Sequence, residues 1–447
     1  MLQALRRQSS ESRRQFIESL ARMAFGVAIV PGTSFFSRIP AAASEPTLTA
    51  SAAAGSAALG VAAAGTADHA IYIFLSGAMS HIDTFDPKPG QASGGDTKAI
   101  QTSVPGVSIG HHLPLMAKQF QDLAVIRSMT TETGAHEEGV YLMRTSYKEI
   151  GSIRHPFLGA WMTHVHGKLN KNLPGSVIAG NANRHPGQGY LPADVAPAPV
   201  GDPKAGLQNT KPPKYLDDKN FQVRQRLMGR FESAFKAKYP LTEVEAYSDY
   251  YREAVRLLKS PDLEAFDINK EDQKVRDAYG AHRAGQGLLL ARRLIEKKVR
   301  FVEVEIGGWD NHNDIYSENN LVRNAAQLDQ AVTTLLQDLK QRGLLQKTLI
   351  ILATEFGRTP QINQNAGRDH HPAAFSCVLA GAGIRGGQVI GATDTEGRTV
   401  ADSPWLPRDF NATIAAACGL PIEKEFTSPS GRPFRIAESG KPIPGLL

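Results

Sequence analysis

From residue 69 onward the chain alternates between short, unbroken apolar runs and longer stretches with helical spacing. Ala70-Ile71-Tyr72-Ile73-Phe74-Leu75 is β-branched and aromatic throughout and stops at Ser76-Gly77. Such a run predicts a strand buried on both faces. Similar runs occupy 123–127, 176–179, 301–306, 348–352 and 375–379. Between several of them the apolar residues return every three or four positions. Leu288, Ala291, Leu294 and Ile295 line one helix face before the run at 301. Leu321, Ala325, Leu328, Val332, Leu335 and Leu339 line another after it, with Gly343 where a C-cap belongs. Strand, helix and strand in series predict an α/β fold. A mostly parallel central sheet is covered by helices on both faces, giving three α/β/α layers. In such sheets ligands collect beyond the carboxyl ends of the strands.

Two stretches break the pattern. Residues 51–65 are nearly all Ala, Gly and Ser, so 45–68 reads as a linker. Residues 181–213 are rich in Gly, Pro and Asn, and a charged helical sequence follows from 218 to about 283. This 181–283 segment reads as a loop and helical insertion in a single domain over 69–447. Its charged face is either a solvated helix surface or part of a lid.

Composition changes this picture little, because 41% hydrophobic and 21% charged residues are ordinary for a globular chain with a large core. The net charge of +6 is concentrated at the start, where six arginines in residues 1–44 face only Glu11 and Glu18. The remaining +2 argues against a nucleic-acid partner. Ser12-Arg13-Arg14-Gln15-Phe16-Ile17 has the twin-arginine export pattern, followed by a modest apolar run from 23 to 30 and Ala41-Ala42-Ala43 as a cleavage site. Residues 1–44 are therefore expected to be a signal read by the twin-arginine translocase, with a periplasmic or secreted product. That run is too short for a stable membrane span. Cys377 and Cys418 lie in apolar surroundings and read as two buried free thiols or, in an oxidising compartment, as a pair.

Five places carry side chains suited to chemistry. Asp83, just after the first run, can bind a metal or act as an Asx turn or helix cap. The stretch 127–136 leaves the second run and enters a helix near Glu137. Hydroxyls of Thr130, Thr131 or Thr133 there can attack an anionic ester beside free N–H groups, or simply cap the helix. His136 is the more distinctive residue of that stretch and a catalytic candidate. Asp310 and His312, two residues apart in an extended loop, can turn toward one ion, since carboxylate and imidazole together suit zinc or a similar divalent metal. In Ala353-Thr354-Glu355-Phe356-Gly357-Arg358, Glu355 can be a ligand or base and Arg358 can grip an anionic oxygen, or the two can form a structural pair. In Gly367-Arg368-Asp369-His370-His371-Pro372 the adjacent imidazoles diverge, so one faces a metal and the other supports or packs.

These motifs carry a resemblance. SRRQF at 12–16, GAMSHIDTFDPKP at 77–89, RSMTTETGAHE at 127–137, GGWDNH at 307–312, ATEFGRTP at 353–360 and GRDHHP at 367–372 resemble a bacterial domain-of-unknown-function family. Its members are twin-arginine-exported and related to the sulfatases of the alkaline phosphatase superfamily. The resemblance runs from about residue 69 to the C-terminus. It implies an alkaline-phosphatase-like fold and a hydrolase of phosphate or sulfate esters using one or two divalent metals. Asp310, His312 and His370 would hold one ion, and Asp83 with Glu355 a second. Thr130, Thr131 or Thr133 would fall at the nucleophile. Glu355-Phe356 departs from the Asp-His usual there, and no Cys stands in a Cys-x-Pro-x-Arg arrangement, which argues against a typical sulfatase mechanism. The alternative is a non-catalytic exported binding protein on a degenerate scaffold of this type.

Overall fold

The computed structural model describes residues 65–208, 210, 217–239 and 242–447. The expected export signal at 1–44, and all of the linker before residue 65, lie outside the described residues.

Eight strands form the main sheet: β1 (His69–Leu75), β2 (Leu123–Met129), β3 (Ser176–Ala179), β4 (Ala198–Val200), β5 (Phe301–Ile306), β6 (Thr348–Ala353), β7 (Phe375–Gly381) and β8 (Gln388–Ile390). Their order across the sheet is β8-β2-β7-β6-β1-β5-β3-β4. β1 pairs in parallel with β5 and β6, β3 with β5 and β4, and β2 with β8. β7 alone runs against its neighbours β2 and β6. The six strands expected from apolar runs are all present. The two extra strands are short edges. β4 carries Pro199, tolerated where no inner ladder needs the missing N–H, so the 181–283 segment contributes a sheet edge before it departs.

Strand alternation divides the core. Ile71, Ile73 and Leu75 of β1 face one side, against α5 (Arg283–Glu296) and α6 (Leu321–Gln341), where the predicted faces of Leu288 to Ile295 and Leu321 to Leu339 are buried. Ala70, Tyr72 and Phe74 face the other side, with Trp161 of α2 (Leu158–His166) and with Phe410 and Ile414 of α7 (Pro407–Ala417). The third helix on this side, α1 (His136–Thr145), follows β2. The charged segment forms α3 (Asp218–Lys238) and α4 (Thr242–Lys259). Lys168 pairs with Glu253 of α4, and Arg256 donates to the Lys171 carbonyl. Residues 168–171 precede β3, so α4 packs at the amino ends of the strands, opposite the loops expected to carry chemistry. α4 is therefore no lid over those loops, whereas Arg184, in the loop that leaves β3, pairs with Glu137 beside His136. Cys377 and Cys418 are buried and unpaired, and burial pushes both thiols up to about 12.

One group of charges is interior except for the partly exposed Glu305. Arg144 of α1 donates from Nε to Glu303 Oε1 (2.9 Å) and from Nη2 to Glu305 Oε2 (3.0 Å). His185 donates from Nε2 to Glu303 Oε2 (2.9 Å) and accepts at Nδ1 from the Gly187 N–H, which satisfies a neutral imidazole. Burial alone would raise Glu303, yet Arg144 and His185 bring it down to about 2, while burial lowers His185. The stability from Glu303 is thus complete above its ordinary 4.5 and lost as pH falls toward 2. His185 acts in the same direction below 6.5, because protonating it costs more in the fold than in the unfolded chain. Glu303→Gln leaves a buried guanidinium undercompensated and is expected to cost about 3 kcal/mol in urea unfolding at neutral pH. A wild-type unfolding free energy that stayed flat through the acid range would contradict this account.

Candidate metal centre

The strand directions bring the site together. β1, β2, β5 and β6 all release their loops at one edge of the sheet, carrying Gly77 to Asp83, Thr130 to His136, Asp310 to His312, and Glu355 to Arg358. Because β7 is antiparallel, its entering loop, with Asp369 to His371, arrives at the same edge. The Asp310 and Asp369 loops are joined along their length. Asp314 and Ile315 donate to the carbonyls of Asn365 and Ala366 (both 2.9 Å), and Arg368 N–H donates to Asn311 O (3.0 Å). Two glycines permit the approach. Gly77 has φ +111°, and a Cβ there would lie 2.5 Å from the Asp310 nitrogen; one on Gly367 would lie 2.1 Å from the His312 carbonyl carbon.

Three imidazoles converge on the Asp310 carboxylate. His136 Nε2 is 3.3 Å from Oδ2, while His312 Nε2 and His370 Nε2 are 3.0 and 3.4 Å from Oδ1. Each ring is held at its other nitrogen by a group that accepts hydrogen bonds. His136 Nδ1 meets Glu355 Oε1 (2.7 Å), His312 Nδ1 meets Asp369 Oδ1 (2.8 Å), and His370 Nδ1 meets the Gly134 carbonyl (2.7 Å). A carboxylate or carbonyl cannot donate, so Nδ1 carries the hydrogen in each neutral ring and Nε2 presents a lone pair to the centre. His136 Nε2 is buried without a hydrogen-bond partner, and His312 Nε2 and His370 Nε2 face each other at 3.0 Å. Two lone pairs at that distance need a proton or a cation between them. Ligand atoms of His136, Asp310 and His370 lie within 4.8 Å of one another, a group that can hold a metal ion. The donor set passes the test of chemistry: borderline nitrogens and a hard carboxylate, each ring fixed from behind. Asp310 is 46% exposed at its side chain, so the centre opens to solvent.

The charges around it are shifted accordingly. The Glu355 hydrogen bond raises His136 against the opposing effect of burial. Burial lowers His370. Burial would raise Asp310, but its bond to Arg358 and that cation's charge bring it below the ordinary value. Phe356 closes one wall, its ring centroid 5.1 Å from that of His136 and 5.0 Å from that of His370.

The family described as "Protein of unknown function (DUF1501)" matches residues 67–447. The chain belongs to that family. No curated protein matches it. Among solved structures it is similar to a protein in the alkaline phosphatase superfamily from Vibrio parahaemolyticus, at 10% identity and TM-score 0.37 over 80% of this chain and 68% of that one. It is also similar to the lipoteichoic acid synthase LtaP from Listeria monocytogenes (10%, TM-score 0.38, 80% and 73%). A third likeness is to the alkaline phosphatase of the Antarctic bacterium TAB5 (11%, TM-score 0.32, 75% and 97%). Likeness this distant does not bear on what the chain does.

Within this DUF1501 chain several expected roles move. His136, expected as a catalytic group, stands in the ligand group. His312 touches Asp310 and His370, but its Nε2 also lies 3.3 Å from Arg358 Nη1. Glu355 is not turned to an ion. It holds His136 and accepts from the Gly77 N–H (2.8 Å). Arg358 is fully buried, and all five of its N–H groups are engaged: with Ala78 O (2.9 Å), Arg368 O (3.0 Å), His312, Gly77 O and Asp310. It positions Asp310 and has no donor left to grip a substrate. Asp83 stands apart from the cluster, its two oxygens filled by five donors from Ser80, Thr97, Tyr316 and two nitrogens of Arg368. A carboxylate so saturated has no lone pair for a second ion. Thr133 bonds Glu138 and the Ala135 N–H, and Thr130 Oγ1 reaches the Pro372 carbonyl (3.4 Å). Thr131 Oγ1 is buried without a hydrogen-bond partner, and no hydrogen bond joins the three hydroxyls to the cluster among the described residues. His371 turns away to the Arg398 carbonyl (2.6 Å), which is the divergence expected of the adjacent pair. The Gly134 carbonyl escaped sequence reasoning, since a backbone acceptor leaves no chemical signature in a motif; Phe356 stood out only as a departure from Asp-His, not as a wall against two imidazoles.

Chelator-competition titration of the purified chain with zinc is expected to give one ion per chain. Glu355→Ala should weaken that binding by roughly 10–100-fold by freeing the His136 ring. Asp83→Asn should instead lower stability, by about 3 kcal/mol, while the ion stays bound. An Asp83→Asn chain that folded normally but lost its ion would restore Asp83 to the ligand set.

Proposed function

We propose that the chain is an exported, metal-dependent hydrolase of phosphate or sulfate esters that works with one divalent ion. The observation supporting this most directly is the convergence of three imidazoles, each fixed at Nδ1, on the single carboxylate of Asp310. His136, Asp310 and His370 would hold the ion, and a zinc-like transition metal suits nitrogen donors with one carboxylate. When bound, such an ion supplies Lewis acidity that polarises a phosphoryl or sulfuryl oxygen.

The chain's own residues supply the remainder. His312, oriented through Nδ1 by Asp369, gives up the long contact from Arg358 Nη1 (3.3 Å) and takes a proton at Nε2 from the attacking water. The water oxygen forms its bond to phosphorus or sulfur, the bond to the ester oxygen breaks, the departing alkoxide takes a proton from solvent, and His312 returns its own proton to solvent. No threonine ester is required, in keeping with hydroxyls that make no hydrogen bond to the cluster among the described residues. Arg358 holds Asp310 in place and adds fixed positive charge, and the amino terminus of α1, which begins at His136, adds more. Both favour an anionic substrate. The twin-arginine pattern at 12–17 supports export of the folded chain by the twin-arginine translocase, to the periplasm or beyond.

The test is a panel of phosphate monoesters, phosphate diesters and sulfate esters offered to the metal-loaded chain. His312→Ala is expected to lower kcat about a hundredfold with the metal content unchanged, the usual contribution of a positioned base. Asp310→Ala should lose ion and activity together. A chain that carries its ion and hydrolyses none of the panel rejects the hydrolase reading in favour of a binding scaffold.

A further inference from the structure

The helix α3 wears its apolar face outward. Val223, Leu227, Phe231 and Phe235 recur every fourth residue, and Tyr239 follows the last turn. Their exposures are 37, 47, 70, 53 and 41%. At about 100° per residue, the first four cover an arc of roughly 120°. A helix on the surface of a globular protein ordinarily turns such an arc to the core. In α3 none of the described side chains is buried. Phenylalanines this exposed, side by side on one element, mark a surface that meets something apolar.

Charge narrows what that is. The helix carries six Lys or Arg against Asp218 and Glu232, a net +4. Arg226 and Arg230 border one edge of the apolar arc, and Lys238 lies within it, its Nζ 5.3 Å from the Tyr239 ring centroid. A second copy would bring the same positive helix against this one, and like charges oppose that pairing. An apolar, aromatic strip edged by arginine on a helix suits the boundary of an anionic bilayer, with rings among the acyl chains and guanidinium groups among the headgroups. No described helix is long and apolar enough to cross a membrane.

We propose that α3 docks this protein on anionic lipid surfaces, inserting Val223, Leu227, Phe231 and Phe235 at the headgroup boundary. The docking is peripheral and independent of the metal centre. α4, the partner of α3 in the insertion, packs at the amino ends of the strands, so lipid bound there leaves the opposite edge, with Asp310, open to solution.

The experiment is flotation of the full chain with phosphatidylglycerol-containing vesicles and with pure phosphatidylcholine vesicles. The variants are made in the same full-length background, so any contribution of residues 1–64 is common to all. The expected result is binding to the anionic vesicles that weakens with salt. Phe231→Asp with Phe235→Asp should reduce it at least roughly tenfold, with the melting temperature and metal content unchanged. Arg226→Gln and Arg230→Gln should each weaken it roughly fivefold. Equal binding by the double-aspartate variant overturns the proposal, as does equal binding to neutral vesicles. A chain that ignores both vesicles also overturns it. If light scattering then shows a dimer that the aspartates dissociate, the face belongs to a second copy; if the chain is a monomer, it belongs to a protein partner.

Discussion

An imidazole has one lone pair to offer, and whatever its other nitrogen touches decides where that pair points. Everything at this site follows from that constraint. Glu355, Asp369 and the Gly134 carbonyl each accept from one Nδ1, and each comes from a different loop. Remove any of them and a ring is free to rotate or to change tautomer. The cluster is therefore built as much by what stands behind the imidazoles as by the rings. Arg358 completes the arrangement by fixing Asp310, the carboxylate they share, and its own place is fixed by the carbonyls of Gly77, Ala78 and Arg368. Ala78 carries φ +64° without being glycine, a strained conformation that the buried bond to Arg358 helps to hold.

The sheet makes this possible through a single reversed strand. If β7 ran with its neighbours, the Asp369 to His371 loop would enter at the far edge of the sheet, a strand length from Asp310. Running against β2 and β6, it delivers His370 beside the loops that leave β2, β5 and β6. The bonds that join 311–315 to 363–368 then set the separation of Asp310 and His370. Glycine at 367 is what lets those two loops touch.

Much of this was legible in the sequence. Six unbroken apolar runs became six strands, and the spaced faces of Leu288 to Ile295 and Leu321 to Leu339 became the helices over one side, because burial on both sheet faces leaves a strong pattern. The edge strands at 198–200 and 388–390 did not show, since three residues are too few to establish a period. The crowding of Asp and His at 310–312 and 369–371 marked two loops that the fold does bring together. Roles within it were less visible. Whether a carboxylate meets an ion or an arginine depends on which loop folds across it: Asp83 meets Arg368, 285 positions away, and nothing in its own motif announces that partner. The same holds for Arg358, whose donors are all taken by groups distant in sequence or supplied by backbone.

Charge balance bears on how many ions such a centre can take. Asp310, Glu355 and Asp369 contribute three negative charges within hydrogen-bonding distance of the imidazoles, and Arg358 returns one positive. Two negative charges remain, which one divalent cation neutralises with the three rings uncharged. A second would leave the cluster positive beside the buried Arg358 guanidinium, with Phe356 forming one wall and Asp83 already neutralised by Arg368. In the absence of any ion, protons must make up the difference, and His136, raised by its bond to Glu355, is the ring best placed to take one. The ion and that proton then compete for the same Nε2 lone pair. Occupancy of the centre and the charge on His136 are therefore two readings of one equilibrium.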